Sequence, residues 1–435
     1  MKRREFISKT SSLGISASGL FLTGIAQAAD FQVVVVGGGM SGATIAKYIR
    51  LWSNKTISVA LLERDVKYTS NIMSNEVLTG KRSSIDTLSF PHTNLVSKYG
   101  VNKIQGEVIG IDPINKTVTY SGSSGNKVII YDRLILAPGL EFDLMPGMSS
   151  LSEYETIVPH AWKAGAQTTL LRSQLLSMPD YHNVVITIPL APYRCPPGPY
   201  ERACVIADWL RTNKPNSKVI VLDENSQIQA QALNFQNAFN GAYGYKVDYR
   251  SGCTISNVQL NPGAHTVSYF QGGNASSVNA AVLNPIPPQR APRLLADTGL
   301  LNVGGKFAPV NLTTYESTLK AGIHVIGDAC ISGMPKAGHI GNQEAKTCAN
   351  AVVFALKGPQ YAAEEISPVL NSACYTPVTS TKATWLSSVY QFSNGAMIPS
   401  TQNGVTQPRS ASSASRKNYE QMNKWFATLM TDTFS

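Results

Sequence analysis

The chain has 435 residues, 43% of them hydrophobic and 15% charged. That composition supports a packed core of about two to three domains and excludes a disordered or membrane-embedded protein. The formal net charge is +10, but no Lys/Arg run is interleaved with aromatics, so a nucleic-acid interface is not expected. The excess reads as a solvated basic surface or as a docking face for an acidic partner protein.

Residues 1–28 read as an address rather than a fold element. Arg3-Arg4 sits in a basic stretch, a modest apolar stretch runs from about Leu13 to Ile25, and Ala26-Gln27-Ala28 has the form of a cleavage site. The pattern resembles a twin-arginine export signal, with an ordinary secretory signal as the alternative. The apolar stretch is too short to span a bilayer. The expectation is a periplasmic protein, exported already folded, with membrane association not expected. Cleavage leaves 33 basic and 26 acidic side chains, about +7.

Val33–Val36 is an all-apolar, β-branched run, as in a buried parallel strand. Gly37-Gly38-Gly39-Met40-Ser41-Gly42 follows and fits G-x-G-x-x-G, opening a helix through Ile49. Gly37 allows the turn, Gly39 lets backbone approach a pyrophosphate, and Gly42 lets helix and strand pack closely. A second strand, Ile57–Leu62, ends at Glu63, placed to accept from a ribose hydroxyl pair. Two later segments favour FAD over NAD. Tyr131–Gly139 resembles the interdomain crossing of two-dinucleotide flavoproteins. Gly322–Ala329 ends a strand in Gly327-Asp328, where that superfamily holds the ribityl chain.

A second strand-helix-strand pattern spans 183–223 and ends at Asp223. Its connector carries Pro192, Pro196, Pro197 and Pro199 where a reductase would place glycines. Proline removes backbone donors and fills the space of a pyrophosphate, so no NAD(P)H binding is expected. The loop presents Cys195 instead, which is either reactive or structural.

The six cysteines are Cys195, Cys204, Cys253, Cys330, Cys348 and Cys374. None has C-x-x-C, haem-attachment or zinc spacing, so no metal is expected. Cys204, Cys330 and Cys348 fall in expected helices or buried turns, where cysteine acts as a small hydrophobe. Cys253 lies in a Gly-rich turn without a role. Cys195 and Cys374 are expected in loops. A cysteine pair beside a flavin could accept a sulfur nucleophile and pass on two electrons. Arg194, adjacent to one sulfur, could lower a thiol pKa there and Lys336 could lie near the flavin, or both are plain surface charges.

The segments PHAWKAGAQT (159–168), RCPPGPYERA (194–203), NPIPPQRA (284–291), TYESTLKAGIHVIGDACI (314–331), MPKAGHIGNQEAK (334–346) and WFATLMTDTFS (425–435) resemble the flavoprotein subunit of flavocytochrome c sulfide dehydrogenase. The resemblance spans nearly all of the mature chain. It implies FAD, a redox-active disulfide, a small sulfur substrate and a c-type cytochrome subunit in a heterodimer. It places the first redox cysteine on Cys195. The second falls on Cys374, within Asn371–Thr376, which has one extra residue relative to the family motif. The resemblance also marks Ser74-Asn75-Glu76. Some family members attach FAD through a cysteine just before that motif. Asn71 stands there, and no cysteine occurs between Asp65 and Glu76, so non-covalent FAD is expected.

The expected fold is α/β, with two Rossmann-like dinucleotide-binding domains arranged as in glutathione reductase, plus an α+β C-terminal interface domain. The expected boundaries are 29–148 and 282–358 for the FAD domain, 149–281 for the degenerate domain and 359–435 for the last. Candidate cofactor contacts are Gly37, Gly39, Gly42, Glu63, Arg64, Asn75, Ala137, Gly139, Gly327, Asp328 and Lys336. Cys195 and Cys374 are the candidate catalytic residues. The alternatives are a sulfide:quinone reductase-like enzyme, for which the apolar side chains near Trp425 would meet a membrane, and an exported electron-transfer flavoprotein with only a structural disulfide. Segment 391–415, rich in Ser, Gln, Asn and Gly, reads as a mobile loop.

Overall fold

The computed structural model describes residues 31–435 apart from 303, 364–366 and 403–404. The export-signal reading therefore lies outside the described residues. Strand β1 (Phe31–Val36), helix α1 (Met40–Trp52), β2 (Ile57–Glu63), β3 (Asn102–Gln105) and β4 (Arg133–Leu136) form the first unit. Strand β5 (Asn183–Ile188), helix α2 (Gly198–Asn213), β6 (Lys218–Asp223), β7 (Val247–Ser251) and β8 (Val282–Pro285) form the second. Strand β9 (Ile323–Val325) and helix α3 (Gly338–Lys357) return to the first unit. Strands β10 (Val369–Pro377), β11 (Ala383–Ser393) and β12 (Ala396–Pro399), then helix α4 (Arg416–Phe434), complete the chain.

The first sheet is wholly parallel, in the order β9-β4-β1-β2-β3. Val33, Val34 and Val35 at its centre are fully buried, which is why the run is continuously apolar rather than alternating. Each such side chain contributes about 1.5–3 kcal/mol. The second sheet is also parallel, in the order β7-β6-β5-β8. Strand β8 pairs with β5, so the second unit runs to Pro285 rather than ending at 281. A parallel strand can join only after a long crossover, which hides its membership from local sequence.

The last segment divides between two neighbours. Strands β10, β11 and β12 form an antiparallel sheet, and Arg409–Ser410 pairs on β11. Segment 391–415 thus contributes strands where a loop was expected, because sheet pairing outweighs the weak strand preference of its polar residues. Helix α4 instead joins the first core through Met422, Phe426, Leu429, Met430 and Phe434. Its end is clamped by Lys47, whose Nζ donates to Asp432 O at 2.7 Å and Ser435 O at 2.8 Å. Among the described residues no helix is long and apolar enough to cross a membrane.

Candidate functional site

The glycine turn connects β1 to α1. Gly37 has φ +95°, and an added Cβ there would collide with the Ala137 carbonyl. A Cβ at Gly42 would collide with the Gly37 carbonyl, so this glycine serves close helix-strand packing. Gly39 is different. A Cβ there would meet only the Tyr68 ring, at 3.7 Å. Nothing in the protein requires glycine at that point, so the open space suits a group outside the chain. Gly39 also starts α1 with no side-chain cap, leaving the first N–H donors free for an anion. Glu63 accepts from Gly38 N at 2.5 Å and from Asp65 N at 2.8 Å. The turn, the helix end and the carboxylate at the end of β2 together fit the adenosine diphosphate part of FAD.

The other expected contacts divide into two groups. Ala137 donates from its backbone to Val36 O at 2.9 Å and closes the turn from the β4 side. Gly139 has φ +75°, with nothing within 4 Å of an added Cβ. Gly327, at φ +74°, donates to Glu344 Oε2 at 2.7 Å, and Asp328 pairs with Arg194 at 3.4 Å. These backbone groups and Asp328 follow the ends of β4 and β9, the strands beside β1 and its glycine turn. The remaining three are engaged by protein partners. Arg64 pairs with Glu107 at the surface, both more than half exposed. Asn75 is buried between Arg202 and Glu201. Lys336 Nζ donates to the carbonyls of Asp328 (2.7 Å) and Cys330 (2.9 Å) and lies 3.7 Å from the Phe307 ring centre. Lys336 thus braces the Gly-Asp turn.

The proline loop delivers Cys195 toward that turn. Cys195 N donates to Lys336 O at 2.7 Å, and its φ of +59° is left-handed, an uncommon state that surrounding contacts must hold. Trp162 supplies one such contact, its Nε1 donating to Arg194 O at 3.0 Å. Cys374 lies on strand β10, opposite Leu386 of β11, not in the loop expected for it. Both cysteines are half-buried as residues and unbonded in this structure, with their thiol groups enclosed by the surrounding protein. They are near enough that a charge on Cys374 raises the pKa of Cys195.

The electrostatics depart from the expectation of an Arg-activated thiol. Burial, then the charges of Cys374 and Glu201, push Cys195 well above the usual thiol range, and Arg194 offsets only part of this. Burial, with Glu201 next, pushes Cys374 up to about 12. A dry site disfavours the thiolate more than one ion-paired arginine favours it.

The sequence reading missed Glu201. It sits in the first turn of α2, in the same loop-helix segment as Cys195, is 8% exposed, and its charge reaches both thiols. Burial and the neighbouring Glu76 push it up to about 8, against the opposing pull of its bond from Asn75 and of Arg202. At neutral pH it is therefore a protonated acid among sulfur atoms. A carboxylate on the buried face of a helix beside a reactive cysteine was the signal available for it. Glu344 was missed likewise. Burial raises it to about 7 while it holds Gly327 N.

Comparison with known families bears on this arrangement. A model of the pyridine nucleotide-disulphide oxidoreductases matches residues 31–186. The central-region model of the sulfide dehydrogenase [flavocytochrome c] flavoprotein chain matches 168–287, and the flavocytochrome c sulphide dehydrogenase flavin-binding model matches 366–434. The chain belongs to the flavocytochrome c sulfide dehydrogenase flavoprotein family. It is an FAD-dependent oxidoreductase. The central-region match contains Cys195 and Glu201, and the flavin-binding match contains Cys374.

Solved structures agree on the fold. The sulfide:quinone oxidoreductase of Aquifex aeolicus superposes with a TM-score of 0.73 at 18% identity, covering 92% of each chain. An NAD-dependent persulfide reductase from A. fulgidus gives 0.58 at 13% identity, covering 93% of this chain and 77% of that one. NDH2 from Plasmodium falciparum, solved with NADH, gives 0.66 at 9% identity, covering 93% and 96%. At these identities the likeness establishes two Rossmann-like units and no more.

Proposed function

We propose that this flavoprotein oxidises sulfide, or a related reduced sulfur compound, through a redox-active Cys195–Cys374 disulfide, with a c-type cytochrome subunit as electron acceptor. One observation carries the reading. Two segments far apart in sequence bring two thiols and a protonated carboxyl, Glu201, into one buried place next to the Gly327-Asp328 turn of a third. Hydrosulfide attacks one sulfur of the disulfide, so that a persulfide S–S bond forms and the Cys–Cys bond breaks. The electron pair of the broken bond leaves on the other sulfur as a thiolate. In so dry a site that thiolate needs a proton, and Glu201 is placed to give it. A second sulfur nucleophile, such as another hydrosulfide, takes the outer sulfur from the persulfide, so that its S–S bond breaks and both cysteines are left as thiols. FAD held by Gly37, Gly39, Glu63 and Asp328 would supply the two-electron acceptor that restores the disulfide.

We also propose that the FAD is dissociable. Asn71, at the position of the family's flavin-linking cysteine, accepts from Ala164 N at 2.7 Å, so its side chain serves to dock the 159–168 segment. Helix α4 buries its apolar face in the first core, which supports a protein acceptor over a membrane quinone. Export by the twin-arginine route to the periplasm belongs to the same proposal and suits an enzyme that folds around its cofactor first.

The test is anaerobic titration of the flavin with sulfide. Bleaching of its visible absorbance in the wild type, lost in Cys374→Ser with the flavin retained, is the expected result. The loss should be at least about 100-fold in rate, since the two sulfurs act as one unit. Unchanged bleaching in Cys374→Ser would overturn the cysteine-pair route, and a wild-type flavin that sulfide does not bleach would leave an electron-transfer flavoprotein with a structural cysteine pair. The rate should fall above about pH 8, where Glu201 loses its proton, and Glu201→Gln should remove that limb of the profile.

A further inference from the structure

Beside the thiols lies a buried cation to which the disulfide route gives no part. Arg202 follows Glu201 on α2 and is 2% exposed. Its Nε donates to Asn75 Oδ1 at 2.9 Å, Nη1 to His160 O at 2.8 Å and Asn284 Oδ1 at 2.9 Å, and Nη2 to Ala161 O at 2.8 Å. All four acceptors are neutral. A guanidinium so placed is costly to bury unless an anion arises within its reach.

Two paths lead from Arg202 to the reacting groups. Asn75 takes its Nε–H on one side and donates to Glu201 Oε1 at 2.8 Å on the other. Trp162 is the second path. Arg202 lies 4.7 Å from its ring centre. That ring and Cys195 Sγ converge at Gly198, where an added Cβ would lie 2.9 Å from each. The two carbonyls held by Arg202 belong to His160 and to Ala161, whose φ is +48°, so the arginine also fixes the left-handed turn that aims Trp162.

We propose that Arg202 is a positioning residue that seats Cys195 through Trp162 and Glu201 through Asn75, and that its charge steadies the thiolate formed at Cys195 when the disulfide opens, until Glu201 protonates it. This rests on the cysteine-pair reading above. The other groups facing Cys195 are Cys374 on β10, Glu201 on α2, Tyr193 on the loop, and Arg194, which Asp328 already partners. Glu201 is faced by Glu76, which is paired with Arg82. His160 is held neutral by burial and the nearby arginines. In support, negative charge on Glu201 or Cys195 raises the pKa of Arg202 against the effect of burial.

The test uses the flavin-loaded protein, reduced with dithiothreitol. Alkylation of Cys195 by iodoacetamide, read by peptide mass spectrometry, reports thiolate availability without sulfide turnover. Arg202→Gln should slow it at least about tenfold at about pH 8, and Arg202→Lys should recover it to within about threefold. Asn75→Asp sets an anion against the guanidinium and should slow Cys195 by a similar factor with the arginine in place. Either folded, flavin-retaining variant, Arg202→Gln or Asn75→Asp, alkylating within about twofold of wild type would overturn the proposal. If these shifts hold while sulfide fails to bleach the wild-type flavin, the sulfur-oxidation reading falls and the assignment of Arg202 stands.

Discussion

The first and second nucleotide folds share a strand-helix-strand frame and differ in what fills the turn. In the first, Gly39 keeps an open space before an uncapped helix, and Glu63 is partly exposed at the end of β2. In the second, Asp223 holds the matching position at the end of β6 but is fully buried. Its Oδ2 accepts from Tyr200 at 2.7 Å and Tyr249 at 2.9 Å, and its Oδ1 from Asn225 N at 2.9 Å and Nδ2 at 2.8 Å. A carboxylate with four protein donors has no capacity left for a ribose. The comparison teaches that a parallel sheet and crossover helix make a nucleotide site possible, and the side chains at the turn decide whether it exists. In the second unit the turn carries a cysteine instead.

The comparison breaks most severely at Gly42. Gly42→Val would force β1 and α1 apart, and the protein should be recovered without flavin, as read by its visible absorbance. Gly39→Val should be milder, because the protein itself tolerates a side chain there. The fold and its melting temperature should persist while FAD affinity falls by at least about 100-fold, measured by flavin fluorescence, as donors and space for the pyrophosphate are lost. Tyr200→Phe should be smallest. It removes one hydrogen bond to Asp223 at a cost of about 1–3 kcal/mol, seen as a lower denaturation midpoint. NADH should still fail to bleach the flavin, because Tyr249, Asn225 and the proline loop remain. NADH-dependent bleaching in the wild type would refute the idea that the second site is closed.

Much of the first site was legible because a contiguous motif dictates its geometry: Gly37 and Gly42 read directly as backbone constraints. Cys195 was legible for the same reason, on a loop whose prolines fix its course. Asn75, Lys336 and Arg64 were expected at the cofactor, but their side chains have protein partners that a linear pattern does not reveal. The strand position of Cys374 was missed because Asn371-Ser372-Ala373 has little strand preference, and its pairing with β11 supplies what propensity lacks.

The amino-acid order alone determined the two nucleotide folds, the glycine turn of the first and the proline-filled turn of the second, because each depends on residues within a few positions of one another and on the restricted backbone of glycine and proline. Only the tertiary structure decided that Glu201, Arg202 and Trp162 gather around Cys195 and Cys374. Those contacts join distant segments, as between Asn75 and Arg202, 127 residues apart. There burial, rather than residue type, sets whether a carboxyl is an acid and whether a thiol is an anion.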